Sequence, residues 1–288
     1  MTRLPLLASS REELRAGLRG PDGTPSGPVG FVATMGALHE GHAALMERAR
    51  AEIGDGAPLV VSVFVNPMQF APGEDLDRYP RTMDADLEIC AAQGVDVVFA
   101  PSVEEVYPGG DPQVTLDPGR LATVLEGASR PTHFRGVLTV VAKLFGLVRP
   151  DVAVFGEKDY QQLALVRRMA EDLCLGVDVV GAQTVREEGG LALSSRNRYL
   201  DAGERESALA LSRALFAARD AGGGATTALA AARAVLDTAG GVRLDYLEVT
   251  APDLGPAPAY GMARMLVAAR VGATRLIDNV ALELEEAP

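Results

Sequence analysis

The chain has 288 residues, of which 48% are hydrophobic and 23% are charged, and its formal net charge at pH 7 is -12. This composition is typical of a globular protein that can bury a large core in one or two domains. The negative charge argues against nucleic acid and anionic membranes as partners, so any phosphate ligand must be bound by a local basic pocket.

The N-terminal sequence lacks the features of a signal peptide, because Pro5 interrupts its apolar residues and charged residues follow from Arg11 onward. No apolar run approaches the ~20 residues that a membrane-spanning helix needs. Cys90 and Cys174 are too few for a disulfide framework, and we expect two thiols buried in helices. These features predict a cytoplasmic enzyme.

The first part of the chain alternates short apolar runs with helical patterns. Ser9 or Ser10 can cap a helix over residues 9–19, and residues 20–28 are predicted to form a loop. Such alternation predicts an α/β fold with a Rossmann-like, doubly wound parallel sheet. The predicted strands cover residues 29–33, 59–65, 95–100, 151–155 and 177–180, and the predicted helices cover 42–53, 82–93, 137–148 and 159–173.

The pattern changes near residue 184. Alanine-rich helices are predicted over 203–221 and 226–239, followed by strands over 244–249, 265–270 and 274–277. The short connection Val271-Gly272-Ala273 indicates an antiparallel hairpin. We therefore predict a first domain over residues 1–184 and a smaller α+β lid domain with antiparallel strands over residues 185–288.

Two of the three histidines lie in the turn between the first predicted strand and the helix that follows it. His39 and His42 are three positions apart, so both imidazoles lie on one side of the first helical turn. A helix N-terminus also presents unpaired N–H groups and the positive end of the helix dipole. This turn is predicted to bind the phosphates of a nucleotide.

Two further segments carry polar side chains that suit a small ligand. Asn66 and Gln69 follow a predicted strand and can bind a hydroxy acid or a ribose, although an ordinary Asn-Pro turn explains them equally well. His133 lies between Arg130 and Arg135, which suits a phosphate or a carboxylate. Taken alone, this second segment is more often a solvated helix start.

The segment after the predicted strand 151–155 carries a lysine at a helix N-terminus. Lys158 is unfavourable there for the helix dipole unless an anion lies beside it, so it is a candidate phosphate ligand. Ser194, Ser195 and Arg196 lie just past the predicted domain boundary, where two hydroxyls and a guanidinium suit a triphosphate.

Several segments in this order together resemble the pantoate–β-alanine ligases (pantothenate synthetases) of the HxGH nucleotidylyltransferase superfamily. His-x-Gly-His alone marks only the superfamily, whereas the combination is specific, and the resemblance covers nearly the whole chain. The matching segments are residues 34–42, 65–70, 79–82, 155–162, 194–197 and 274–279.

The resemblance implies an AMP-forming reaction in two steps. The pantoate carboxylate attacks the α-phosphorus of ATP to give pantoyl adenylate and pyrophosphate, and the amine of β-alanine then displaces AMP. It implies ATP with Mg²⁺ as substrate, no tightly bound organic cofactor, and a homodimer.

The resemblance also implies a role for individual residues. The catalytic set would be His39, His42, Lys158 and Arg196. The pantoate site would contain Met35, Asn66, Gln69, Gln162 and His133, and β-alanine would contact Gln69 and Tyr79. The ATP site would contain Met35, His39, His42, Gly156, Lys158, Asp159, Val185, Leu193, Ser194, Ser195 and Arg196.

One departure from the family pattern concerns the metal. The family often has adjacent aspartates after the segment Tyr79–Thr82, and here Ala85 replaces one of them while Asp86 remains. Asp86 is therefore a candidate metal ligand, and the departure favours a magnesium ion held mainly by ATP. Leu193, where methionine is common in the family, is a conservative change.

Three alternatives remain from the residues themselves. His39, His42 and His133 could bind zinc, although the spacing of His39 and His42 is looser than in helix-based zinc motifs. No carboxylate is obviously placed as the catalytic base of such a site, and Glu40 is the one candidate. Another HxGH enzyme would transfer AMP or CMP to a phosphate acceptor without needing both Gln69 and Gln162. A nucleotide-binding module without catalysis is the third alternative. The presence of His39, His42, Lys158 and Arg196 together argues against it.

Overall fold

The computed structural model describes residues 4–19, 27–71 and 74–286. Contacts along the chain divide it into two compact units. One contains Met1–Gly156 and Leu165–Ala182, and the other contains Glu157–Ala164 and Gln183–Pro288. Among the helices of these described ranges, none is long and apolar enough to cross a membrane.

The first unit is built on one sheet of six parallel strands. Their order across the sheet is β1-β4-β3-β2-β5-β6, with every neighbouring pair parallel. Apolar side chains fill the central strands because helices cover both faces of such a sheet. The strands are β1 (Leu6–Ala8), β2 (Gly30–Thr34), β3 (Leu59–Val63), β4 (Val97–Phe99), β5 (Val152–Gly156) and β6 (Asp178–Ala182).

The direction of winding changes between β2 and β5. From β2 the chain steps outward through β3 and β4, whereas β5 and β6 lie on the other side of β2. Ligands of such sheets bind beyond the carboxyl ends of the strands at this switch point. The segment that follows Thr34, the last residue of β2, therefore starts where a ligand is expected.

The helices of this part of the chain supply the apolar faces that cover the sheet. Met46, Ala49 and Ile53 pack with Val32 and Val61 in one buried cluster. The helices are α1 (Arg11–Gly17), α2 (Glu40–Ile53), α3 (Met83–Ala92), α4 (Val103–Val106), α5 (Glu126–Ser129), α6 (His133–Val148) and α7 (Tyr160–Asp172).

The second unit combines two helices with a three-stranded antiparallel sheet of order β7-β8-β9. Leu211 and Leu215 of the first helix pack with Met265 and Val267 of the central strand in a single core. The elements are α8 (Ala202–Asp220), α9 (Ala225–Leu236), β7 (Val242–Thr250), β8 (Gly261–Val271) and β9 (Thr274–Leu284).

The predicted fold class is confirmed, with a doubly wound parallel sheet and a separate antiparallel sheet. The tight hairpin is also confirmed, since Val271 pairs with Thr274. Ser10 caps α1 in a capping box with Glu13. The domain boundary at residues 184/185 stays a prediction, and the contacts group Glu157–Ala164 with the later residues.

Three local predictions need correction. Strand β1 was not predicted, because it has only three residues and its Leu6 and Leu7 are about half exposed. Helix α6 begins at His133 rather than at residue 137. The C-terminal strands extend beyond their predicted ends. Most of the loop predicted over residues 20–28 lies outside the described residues.

The prediction of two buried helical thiols is half wrong. Cys90 is fully buried in α3. Cys174 is exposed and lies beyond the end of α7, in a backbone conformation with a φ of 50°. The prediction relied on the burial habit of free cysteines in helices, but the chain leaves the helix before it reaches Cys174.

Candidate active site

The turn between β2 and α2, called here the histidine turn (residues 35–42), has a strained start. Gly36 has a φ of 80° and Ala37 a φ of 51°, so two successive residues adopt the left-handed region. The N–H groups of Ala37 and Leu38 point to the carboxylate of Asp86, at 3.1 and 2.8 Å. Asp86 thus compensates the strain by satisfying buried donors.

His39 and His42 cap the first turn of α2 reciprocally. Nδ1 of His39 accepts from the N–H of Gly41 at 3.1 Å, and Nδ1 of His42 accepts from the N–H of His39 at 3.3 Å. The two ring centroids are 4.2 Å apart. Because each Nδ1 acts as an acceptor, a neutral ring carries its proton on Nε2. Each imidazole therefore presents Nε2–H as its donor, the form that suits a phosphate oxygen.

Asp86, the predicted metal ligand, has a different set of contacts. Its side chain is 1% exposed. Besides the two N–H groups of the histidine turn, it accepts from the hydroxyl of Thr82 at 3.1 Å. Three hydrogen bonds from the protein favour a role in positioning the turn. Metal binding by Asp86 stays a prediction that this geometry does not favour.

Asn66, Gln69 and Met35 form one connected group at the carboxyl ends of β2 and β3. Asn66 is 1% exposed and donates to Oε1 of Gln69 at 3.2 Å and to the carbonyl of Gly136 at 3.1 Å. Its oxygen accepts from the hydroxyl of Tyr107 at 2.9 Å. The amide of Gln69 donates to Sδ of Met35 at 2.8 Å. Asn66 therefore fixes the orientation of the Gln69 side chain.

Gly136 of α6 allows the helix to approach the 3₁₀ turn Pro67–Gln69 closely. A Cβ atom at this position would lie 2.3 Å from the carbonyl oxygen of Met68 and 2.6 Å from the nitrogen of Gln69. Because both are backbone atoms, neither can move aside cheaply. The absence of a side chain at Gly136 is thus a condition for the position of Gln69.

His133, a predicted pantoate ligand, uses both ring nitrogens within the protein. Nδ1 lies 3.0 Å from the carbonyl oxygen of Gln69, and Nε2 lies 3.1 Å from a guanidinium nitrogen of Arg130. A carbonyl only accepts and a guanidinium only donates, so the ring carries its proton on Nδ1 and accepts at Nε2. His133 therefore connects Arg130 to the backbone of the 3₁₀ turn Pro67–Gln69, called here the Gln69 turn.

Arg130 in turn forms a two-pronged ion pair with Glu74, at 3.1 and 2.8 Å. Burial alone would raise the pKa of Glu74, but the hydrogen bond and the charge of Arg130 outweigh it, so this pKa is lowered. The arginine therefore has a structural partner of its own, and it connects Glu74 to His133.

Tyr79 is the predicted β-alanine contact. Its ring packs edge-on against Phe70, with the centroids 6.1 Å apart. Gly156, a predicted ATP contact, ends β5 and pairs with Ala182 of β6.

The remaining predicted ligands belong to the second unit. Lys158 lies in a 3₁₀ turn, Glu157–Asp159, which leads into α7, and its ammonium is 3.6 Å from the carboxylate of Asp159. Asn279 of β9 donates to the carbonyl oxygens of Glu157 and Lys158, at 2.8 and 2.9 Å. Gln162 follows in the first turn of α7 and is partly buried.

The loop of Ser194, Ser195 and Arg196 has a defined local structure. The hydroxyl of Ser194 accepts from the N–H of Arg196 at 3.3 Å and caps the 3₁₀ turn Ser195–Tyr199. The predicted adenosine contacts Val185 and Leu193 face each other, with the N–H of Leu193 donating to the carbonyl of Val185 at 2.9 Å. Arg196 is exposed.

Within the described residues, no group of three or more His, Cys, Asp and Glu side chains is arranged to hold a metal ion. The zinc hypothesis also conflicts with the hydrogen bonds. Nδ1 of His39 and His42 and both ring nitrogens of His133 already have partners in the protein. We therefore assign no zinc site to the three histidines.

Comparison with known proteins identifies the family. The model of the family described as pantoate-beta-alanine ligase matches residues 7–281. The chain belongs to this family. A pantothenate synthetase from Nocardioides sp. is 64% identical over 99% of this chain and 87% of its own length. This member of the family is therefore a ligase that condenses pantoate with β-alanine at the expense of ATP, through an adenylate intermediate.

Solved structures of pantoate–β-alanine ligases share the fold. The pantothenate synthetase from Thermus thermophilus is 51% identical, with a TM-score of 0.86 over 96% of this chain and 98% of its own. The enzyme from Francisella tularensis is 32% identical, with a TM-score of 0.77 over 96% of this chain and 97% of its own. That structure is described as a complex with beta-gamma ATP and beta-alanine.

Some residues of this ligase that support the predicted site carry no signal in the sequence. Tyr107 and Glu74 were not singled out, and neither was Arg264, which bonds to Asn279 at 2.8 Å. The contacts of these three residues join positions that are 41, 56 and 15 residues apart along the chain. No local pattern marks such contacts, so only the fold reveals them.

Proposed function

We propose that the histidine turn binds the phosphates of ATP while pantoate attacks its α-phosphorus. The N–H groups at the start of α2 and the Nε2–H donors of His39 and His42 supply hydrogen bonds to phosphate oxygens. As the pantoate oxygen bonds to phosphorus, the bond to the β-phosphate oxygen breaks and pyrophosphate leaves. These donors stabilise the charge that develops on the phosphates.

The second step is an acyl transfer. The uncharged amine of β-alanine attacks the acyl carbon of pantoyl adenylate, the C–O bond to AMP breaks, and the amine loses a proton as the amide forms. We propose that Gln69 and Gln162 bind pantoate with Met35 against it, and that Gln69 and Tyr79 orient β-alanine. Asn66 and His133 both form hydrogen bonds to Gln69, which supports a role for these two residues in positioning Gln69.

In this proposal Lys158, Ser194, Ser195 and Arg196 bind phosphate oxygens, and Arg196 and Lys158 offset their charge. Gly156, Asp159, Val185 and Leu193 line the nucleotide site. ATP carries Mg²⁺ as part of the substrate, and no step is assigned to a metal bound by the protein. We further propose a homodimer and, because ATP is a cytoplasmic metabolite, a cytoplasmic location.

The observation that carries the proposal is the pair of reciprocal caps at His39 and His42. Two imidazoles whose Nδ1 atoms bind the backbone are held rigidly with Nε2–H as donor, at the switch point of the sheet. Such preorganised donors are effective because they need not reorient during the reaction.

The test is the single-turnover rate of pantoyl adenylate formation, measured by rapid quench with labelled ATP. We expect His42→Ala and Lys158→Ala each to lower this rate by about 100-fold or more, with the fold retained. Arg168→Ala is the matched control, because it removes a positive charge that pairs with exposed carboxylates on α7. Near-normal rates in both variants would contradict the phosphate roles.

A second experiment separates this reaction from nucleotidyl transfer to a phosphate acceptor. The enzyme is incubated with ATP and either pantoate or a series of phosphomonoesters, and the adenylylated products are separated. We expect only the carboxylic acid to be adenylylated. A product carrying a new phosphoanhydride bond would favour the other HxGH activity.

A further inference from the structure

Asn279 of β9 is buried and bonded through every polar atom of its side chain. It is 4% exposed. Its amide nitrogen donates to the carbonyl oxygens of Glu157 and Lys158, at 2.8 and 2.9 Å. Its Oδ1 accepts from Nε of Arg264 at 2.8 Å. This pattern fixes the orientation of the amide, because an exchange of its oxygen and nitrogen would bring the oxygen against two carbonyls.

Arg264 of β8 completes the same buried group. Its side chain is 8% exposed, and its second nitrogen binds the carboxylate of Glu157 at 2.8 Å. Its guanidinium carbon lies 3.9 Å from the centre of the Tyr160 ring. The charge of Arg264 is therefore compensated by an anion and an aromatic face. Arg264 therefore has its partners within the protein, and its Nε–H donates to Asn279.

The contacts of Asn279 converge on the backbone that carries Lys158. The Lys158 turn (Glu157–Asp159) is a single 3₁₀ turn before α7, and such a turn fixes its own geometry weakly. Asn279 bonds the carbonyls of Glu157 and Lys158 and so fixes the two peptide planes that flank Lys158. Together these planes set the direction in which the Lys158 side chain leaves the backbone.

We propose that Asn279 is a positioning residue for Lys158, with Arg264 holding the Asn279 amide in the orientation that binds the turn. Asn279 does not touch substrate in this proposal. It acts through Lys158, and the inference therefore rests on the proposed role of Lys158 in phosphate binding. A displacement of about 1 Å in such a group can cost about 10²-fold in rate.

The decisive variant is Asn279→Asp. It keeps an oxygen for Arg264 but replaces the donating amide nitrogen by an oxygen that faces two carbonyls. We expect the single-turnover rate of adenylate formation at saturating ATP to fall by about 10- to 100-fold. The test is a double-mutant cycle with Lys158→Ala, because the two losses add only if the residues act independently.

In the Lys158→Ala background we expect Asn279→Asp to change the rate by less than about threefold. Equal losses in both backgrounds would show a merely structural role and overturn the proposal. If Lys158→Ala alone leaves the rate normal, the failure lies in the proposed role of Lys158. If Lys158→Ala is slow and Asn279→Asp is not, the failure lies in this inference alone.

Two further variants keep the test interpretable. Arg264→Lys retains a cation beside Glu157 but lacks the planar Nε–H that binds Asn279, so it provides a milder cycle should Asn279→Asp fail to fold. We expect a several-fold loss with Lys158 present and none without it. Arg275→Ala on the same strand breaks an ion pair with Asp245 and serves as the control with an unchanged rate. Additive losses for Arg264→Lys would contradict the proposal.

Discussion

At the scale of single residues, the chemistry of the site depends on which ring nitrogen carries the proton. The backbone N–H groups of His39 and Gly41 point at Nδ1 of His42 and His39. This assigns Nε2–H to both rings, whereas His133 has the opposite tautomer. The three histidines thus adopt two different tautomers, and their hydrogen-bond partners determine which.

Asp86 offers a direct choice between a structural and a metal-binding role. Asp86→Asn should destabilise the protein by about 1–3 kcal/mol, because the N–H groups of Ala37 and Leu38 bind different carboxylate oxygens and one of them then faces an amide nitrogen. The activity should fall with an unchanged dependence on magnesium concentration. The measurements are thermal unfolding and a magnesium titration of the rate.

The control for this variant is Asp84→Asn on the same helix, where the side chain is exposed. We expect its stability and activity to match those of the unmodified enzyme. A large rise in the magnesium concentration needed by Asp86→Asn, without a loss of stability, would instead support metal binding by Asp86.

The two thiols should differ in reactivity. Burial, followed by the nearby charge of Asp86, raises the pKa of Cys90 to about 12, so its thiol stays protonated at neutral pH. Cys174 is exposed. With an aromatic disulfide reagent, we expect one thiol to react promptly and the other only after unfolding. The prompt phase should vanish in Cys174→Ser, and its persistence there would contradict the assignment.

At the scale of elements, the position of the Gln69 turn depends on how closely α6 approaches it. Gly136→Ala would place Cβ within 2.3 Å of a backbone oxygen, so the helix or the turn must shift. We expect a loss of stability of about 1–3 kcal/mol and a raised KM for pantoate. Thermal unfolding and steady-state kinetics measure the two effects.

Gly146 on the same helix provides a matched control. A Cβ atom there has no neighbour within 4 Å. Gly146→Ala should therefore stabilise the enzyme by about 0.5–1 kcal/mol through its better helix propensity and leave pantoate binding unchanged. If the two glycine variants behaved alike, the close approach at Gly136 would not be what positions Gln69.

Elements marked by a local pattern could be predicted from the sequence, and contacts between distant segments could not. The apolar runs of β2 and β3 and the histidine turn are local signals, and the hairpin at Gly272 is marked by its own residues. The hydrogen bonds that Asp86 accepts from the histidine turn could not be predicted from its neighbours in sequence. Its partners lie 48 and 49 positions away, where no local pattern can reveal them.

At the scale of the whole molecule, the turn that carries Lys158 is supported by residues far along the chain. Asn279 and Arg264 belong to the antiparallel sheet, and the amide of Asn279 donates to the carbonyl of Lys158, 121 positions earlier. The boundary at residues 184/185 stays a prediction. The Lys158 turn and the later sheet form one functional group within the second unit.

The enzyme activates pantoate as an adenylate before β-alanine takes part. The most direct measurement is the exchange of labelled pyrophosphate into ATP, with each substrate supplied or withheld. We expect exchange that requires pantoate and proceeds without β-alanine, because adenylate formation is reversible. Exchange that is equally fast without pantoate, or that appears only with β-alanine, would contradict it.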